Sequence, residues 1–137
     1  MRFTLNLASK PGVPNVNKVV YSQEAFDKML NSNWTKELLE QKSLYVLSGP
    51  SVQNIDYAKP INLMDCVGKV LEWDGPTAEV DIYSTTYGLI VEELKDELEL
   101  GMNYTCRLVK GHDGNTEAVG MRIHSFSLID KRAHRYI

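Results

Sequence analysis

Three histidines, His112, His124 and His134, are the side chains in this sequence best suited to exchange a proton near neutral pH. Hydrolysis by a serine or threonine needs such a base within hydrogen-bond reach of the hydroxyl, and a further group to orient the base. Hydroxyls are available at Ser125, Ser127 and Thr105. His124 and Ser125 are adjacent, however, and neighbours on a regular strand point to opposite faces. An active centre pairing His112 or His124 with Ser125, Ser127 or Thr105 therefore demands a rearranged site. His112 falls in the polar run 110–116 (KGHDGNT) and reads as a solvated turn residue, while His134 lies in a charged tail. No Gly-x-Ser-x-Gly elbow is present.

Metal and cofactor chemistry finds less support. Glu92, Glu93, Asp96, Glu97 and Glu99 cluster in sequence, but acids at this spacing describe the wet face of a helix. Asp56, Asp65, Asp74 and Asp81 are scattered over loops and strands. No calcium loop, phosphate-binding loop or dinucleotide fingerprint occurs. Cys66 and Cys106 lack zinc-ligand spacing and read as buried free thiols in strands. The expectation is no cofactor and no metal.

The totals bound the rest. A chain of 137 residues fits one domain with its own core. The net charge of −3 argues against a general nucleic-acid binder, although Lys131, Arg132, His134 and Arg135 crowd the last residues. No apolar run reaches the length of about 18 residues that a membrane helix requires. The first ten residues lack the apolar centre of a signal peptide, so synthesis in the cytosol is expected.

The elements that must position any site follow from periodicity. Arg2 to Leu7 alternates, with Phe3, Leu5 and Leu7 on one face, and reads as a half-buried strand. Lys10 to Asn17 is a Pro/Gly/Asn loop, and Lys18 to Tyr21 a short β-branched run. Ser22 caps a helix whose apolar face is Phe26, Met29 and Leu30. Asn33 caps a second short helix with Trp34, Leu38 and Leu39 on one face. Ser43 to Leu47 is a strand, and Ser51 to Pro60 a polar loop.

The unit Ile61 to Arg107 organises the chain. Ile61 to Trp73 reads as a long strand with Gly68 as a bulge or close approach. Asp74-Gly75 signals a hairpin, because both residues tolerate positive φ. Ala78, Val80 and Ile82 face inward on the next strand. Ser84, Thr85 or Thr86 caps a third helix, with Tyr87, Ile90, Val91, Leu94 and Leu98 as its apolar stripe and Gly101 ending it. Met102 to Val109 and Glu117 to Ile129 are the last strands, with Ile123 and Leu128 packed on either side of a local irregularity. The expected fold is α+β: one domain over residues 1–130, a mostly antiparallel β-barrel-like sheet with two or three helices, then a charged tail 131–137.

The order of these pieces resembles the prohead (capsid maturation) proteases of tailed bacteriophages, especially the T4-like branch, which is similar in fold to herpesvirus assemblins. Pro14-Asn15-Val16-Asn17-Lys18-Val19-Val20-Tyr21-Ser22 fits the segment before that family's first helix. Val67 to Gly75 fits its strand and turn, and Ala78 to Leu94 its strand-to-helix passage. Leu98 to Gly101 and Ser125 to Asp130 fit the closing pieces, so the likeness runs from about residue 13 to 130. The resemblance implies a catalytic histidine before a proline, where this chain has Gly49-Pro50. It implies a nucleophilic serine after the helix, where this chain has Met102-Asn103-Tyr104-Thr105.

What the resemblance implies is thus a protease-like fold without its base or nucleophile, and no catalytic residue is assigned. The function expected is a phage structural protein of the virion that binds the major capsid protein or another head component, as decoration, cement or auxiliary protein. The contact residues expected are Lys10, Val13, Asn15 and Asn17 in the first loop and Lys131, Arg132, His134 and Arg135 in the tail; the loop Ser48 to Pro60 is a third contact segment. Self-association is left open, with no nucleic acid and no membrane as partners. Two other readings stand beside it: an active serine-type protease with a rearranged site, and a phage-encoded binder of a host protein that uses the acidic helix 86–99.

Overall fold

The computed structural model describes residues 1–15, 17–48, 65–83 and 85–131, apart from the side chains of Thr85 and Thr86. Expectations that fall on Gly49-Pro50, on the 51–60 loop, on Ile61 to Met64, on the cap of the third helix and on residues 132–137 lie outside the described residues. Among those described, the chain forms seven strands and three α-helices. They are β1 Arg2–Asn6, β2 Val19–Val20, α1 Gln23–Leu30, α2 Asn33–Glu40, β3 Tyr45–Leu47, β4 Cys66–Trp73, β5 Thr77–Ile82, α3 Thr85–Leu94, β6 Leu98–Lys110 and β7 Thr116–Asp130.

The helix starts are set by hydroxyls. Ser22 Oγ accepts from the Ala25 amide at 3.0 Å, satisfying one of the free donors of the first turn of α1. Ser32, rather than the expected Asn33, caps α2, accepting from the Thr35 amide at 3.2 Å. Ser32 Oγ also donates to the Met29 carbonyl, as does Thr35 Oγ1, so the end of α1 and the start of α2 are tied at one oxygen. The buried residue of α2 is Thr35, while Trp34 turns outward. Trp34 Nε1 donates to the Ile123 carbonyl at 2.7 Å, and the Arg122 guanidinium lies 3.7 Å from its ring centroid.

The sheet is mixed. Its order is β1-β5-β4-β3-β7-β2, and β6 also pairs with β7. Most ladders are antiparallel, but β7 takes β2 and β3 in parallel. The named strands do not close on themselves. A single bridge, Leu7 to Leu100, links the end of β1 to the start of β6, where the Ala8 amide donates to the Leu100 carbonyl at 2.8 Å.

The β4–β5 hairpin turns at Asp74-Gly75-Pro76, as the sequence suggests, although only Gly75 takes positive φ (133°). Trp73 Nε1 donates to the Gly75 carbonyl at 2.9 Å and braces the turn from beneath. Gly68 is a close approach: a Cβ there would run into the Asp81 carbonyl oxygen of β5. The core continues as a chain of rings, Tyr21 on Phe26, Phe26 edge-on to Trp73, and Trp73 edge-on to Phe126 at 5.1 Å between centroids. These contacts bind the lead-in loop, α1, β4 and β7 into one interior.

Three expectations are corrected. The third helix ends at Leu94 and passes through a 3-10 turn, Lys95–Glu97, so Gly101 is no helix terminator but a residue of β6. It sits there because a Cβ would collide with the Ile129 side chain on β7. The apolar stripe of α3 is mostly exposed: Val91 is buried, but Tyr87, Ile90 and Leu94 face solvent, since the body offers cover only along Gly88 and Val91. Cys106 is exposed on β6, and Cys66 is half-buried; both thiols are free.

Candidate functional site

Apart from Thr35 on α2, the buried polar residues among those described gather where β6 meets β7. Asn103, Ser125 and Ser127 are buried on adjacent strands, with Asn103 directly opposite Ser125 and Gly101 opposite Ser127. Gly101 has no side chain, so the Asn103 amide can reach along its own strand to both hydroxyls. Its Nδ2 donates to Ser125 Oγ at 3.0 Å and to Ser127 Oγ at 2.9 Å. The other half of that amide, Oδ1, is buried with no hydrogen-bond partner. An acceptor left this way costs free energy on the order of 1–3 kcal/mol.

His124 joins the cluster through a defect in the ladder. Asn103 pairs with Ser125 and Tyr104 with Ile123, so His124 is an extra residue with no opposite number. A bulge of this kind breaks the alternation of side chains and re-aims the inserted one. The expectation that His124 and Ser125 point apart is therefore overturned: His124 Nδ1 lies 2.8 Å from Ser125 Oγ. The Trp34 contact to the Ile123 carbonyl fixes the backbone beside the bulge.

The electrostatics set the charge of the ring. Burial pushes the His124 pKa below its ordinary value, which favours the neutral ring at neutral pH. Ser125 Oγ accepts from Asn103 and keeps its own hydrogen, which His124 Nδ1 accepts in the tautomer protonated at Nε2. A neutral imidazole accepting a serine proton is the first element of a base–nucleophile pair. Against that, Ser125 is fully enclosed, and a scissile carbonyl can reach its oxygen only if its surroundings move. Thr105 is exposed on β6 opposite Arg122. His112 lies in the turn beyond Lys110 and Thr116, and Thr116 is nine residues along β7 from Ser125, up to about 30 Å of extended strand. It cannot act on Ser125.

The surface residues expected to meet a partner divide. Lys10, Val13, Asn15 and Asn17 are all exposed. Asn15, though, also shapes its own loop, since its Oδ1 accepts from the amides of Asn17 and Val19. Lys131 is exposed, and Arg132, His134 and Arg135 lie outside the described residues. Among the described residues no group of three or more His, Cys, Asp or Glu side chains is arranged to hold a metal ion, and no helix is long and apolar enough to cross a membrane.

Sequence reasoning missed Asn103 as the hub. The only signals were an asparagine between Met102 and Tyr104 in a predicted strand and two serines at a spacing of two, and neither reveals that they meet. The fold itself is prohead-protease-like. It is similar to the solved structure of the bacteriophage T4 capsid assembly protease, gp21, with a TM-score of 0.69 at 10% sequence identity, over 93% of this chain and 79% of that one. Identity that low carries the fold alone. No family model matches the chain, and no curated protein matches it.

Proposed function

We propose that this chain is a phage head protein that uses a protease-like scaffold for binding rather than cleavage. The observation that carries this reading is Asn103. It stands on the strand where the resemblance places the nucleophile, and its amide is enclosed and committed to two serines. A carboxamide is no nucleophile for acyl transfer, and its oxygen and nitrogen offer no base. A capsid component as partner is supported by the likeness to gp21, a capsid assembly protease. The contacts in this reading are Lys10, Val13, Asn15, Asn17 and the basic run Lys131, Arg132, His134 and Arg135. On the same reading, the Leu7–Leu100 bridge is the seam of a barrel-like wall that holds the first loop against the sheet. The deciding experiment is quantitative mass spectrometry of purified mature particles and empty proheads. High copy number in mature heads supports a decoration or cement role, and absence from both discards the capsid as partner.

The 2.8 Å contact between His124 and Ser125 favours a second reading, a hydrolase with a rearranged site. A fluorophosphonate probe separates the two. Labelling of Ser125 that is lost in His124→Ala, together with cleavage of a capsid precursor, would establish the enzyme and end the binding-only reading.

A further inference from the structure

The third helix is amphipathic in the wrong sense for a monomer. It rests on the body through Gly88 and Val91, one with no side chain and one small, and Gly88 is closely met by the Met1 side chain. Its large apolar residues point away: Leu89 is 62% exposed, Ile90 46%, Tyr87 42% and Leu94 36%. Tyr87, Ile90 and Leu94 recur at i, i+3 and i+7 and form one stripe beside the buried seam. Tyr83, two residues before the helix, is 49% exposed and has the Lys69 ammonium 5.7 Å from its ring centroid. An apolar run of this kind, rimmed by polar residues, marks an interaction surface.

The rim says what kind of partner covers it. Glu92 and Glu93 are exposed on the helix, and Asp96 and Glu97 follow in the 3-10 turn, against the single cation of residues 85–97, Lys95. A parallel second copy would bring these carboxylates together, an antiparallel one would set them against the uncharged residues 85–91 and leave them uncompensated, and an anionic lipid surface would be repelled. The geometry points to α3 as a docking surface for a partner helix that has apolar residues at helical spacing and flanking lysines or arginines. This surface is separate from the β6–β7 cluster, so its loss leaves the reading of that cluster untouched.

The test is fluorescence anisotropy of the full chain with two designed 18-residue amphipathic peptides, both carrying leucine at i, i+3, i+4 and i+7, one with lysine at the remaining positions and one with glutamate (about five turns of helix each). The lysine peptide is expected to bind, with affinity falling as salt rises, and the glutamate peptide is not. Ile90→Asp is expected to weaken binding about tenfold or more. Because Ile90 is exposed, far-ultraviolet circular dichroism should stay unchanged. The double change Glu92→Lys and Glu93→Lys is expected to reverse the preference. Equal binding of both peptides, binding of neither, or a preference unmoved by charge reversal overturns the proposal. So does a dimer in light scattering that Ile90→Asp converts to monomer, since a second copy would then be the occupant.

Discussion

Ser125 Oγ and Nδ1 of His124 lie 2.8 Å apart although the two residues are consecutive on a strand. The contact exists because His124 is the surplus residue of a bulge, and it couples the ring to the enclosed amide of Asn103 through one hydroxyl. Its energetics are open to measurement in pH.

Burial holds His124 below its ordinary pKa, so as pH falls the unfolded chain takes up this proton first. Protons bound preferentially by the unfolded state make stability rise with pH. The contribution is therefore complete above the ordinary histidine value, about 6.5, and is lost as pH falls below it toward the folded value. The melting temperature of the wild type should drop more steeply than that of His124→Gln as pH is lowered through this window. Parallel curves would show that the ring is as free to protonate in the fold as out of it.

Asn103 should be costly to change because two other buried groups depend on it. Asn103→Leu removes the donor shared by Ser125 and Ser127 and leaves both hydroxyls enclosed without it. A loss of about 1–3 kcal/mol is expected in urea unfolding. A neutral or stabilising outcome would mean that the unpaired Oδ1 already cancels the two bonds.

Two strand glycines should respond differently to alanine. At Gly68 the new methyl meets the backbone oxygen of Asp81 and the Cα of Ile82 at 3.1 Å, and a ladder cannot yield there without splaying β4 from β5. At Gly101 it meets the end of the buried Ile129 side chain rather than backbone, and a terminal methyl gives way at less cost than a ladder. Gly68→Ala should cost on the order of 1–3 kcal/mol and more than Gly101→Ala. Equal melting points for the two variants would contradict this.

The helix caps offer a matched pair. Ser22→Ala removes one cap bond to the Ala25 amide, whereas Ser32→Ala removes a cap bond and a second bond to the Met29 carbonyl. Each should lower stability by about 0.5–2 kcal/mol, with Ser32→Ala the larger. The order of the two chemical denaturation midpoints checks it.

Much of the scaffold was legible because it rests on local chemistry. Ser22 reads as a cap from its hydroxyl and position, and Ala78, Val80 and Ile82 read as inward from strict alternation, and all do so in the fold. What escaped depends on register between distant segments. Whether His124 and Ser125 share a side is decided by how β7 slips against β6, and nothing within residues 116–130 states that slip. Gly101 illustrates the same limit: a glycine after a helical pattern resembles a terminator, and only the nearness of Ile129 shows otherwise. On α3, periodicity identified the apolar residues but could not say that the body lacks a surface wide enough to receive them.

The place of β7 in the sheet also governs when the domain can be completed. The strands β1, β5, β4 and β3 can pair with one another before β7 exists, but among the described residues β2 and β6 have their ladders with β7 alone, and β3 keeps one edge open for it. β2 finds its partner nearly a hundred positions later, and such distant pairing slows folding. During synthesis the ladders of β2, β6 and the open edge of β3 wait for β7 to leave the ribosome. The nascent domain is therefore most prone to aggregate just before β7 emerges, and a chaperone that holds extended apolar segments should act there.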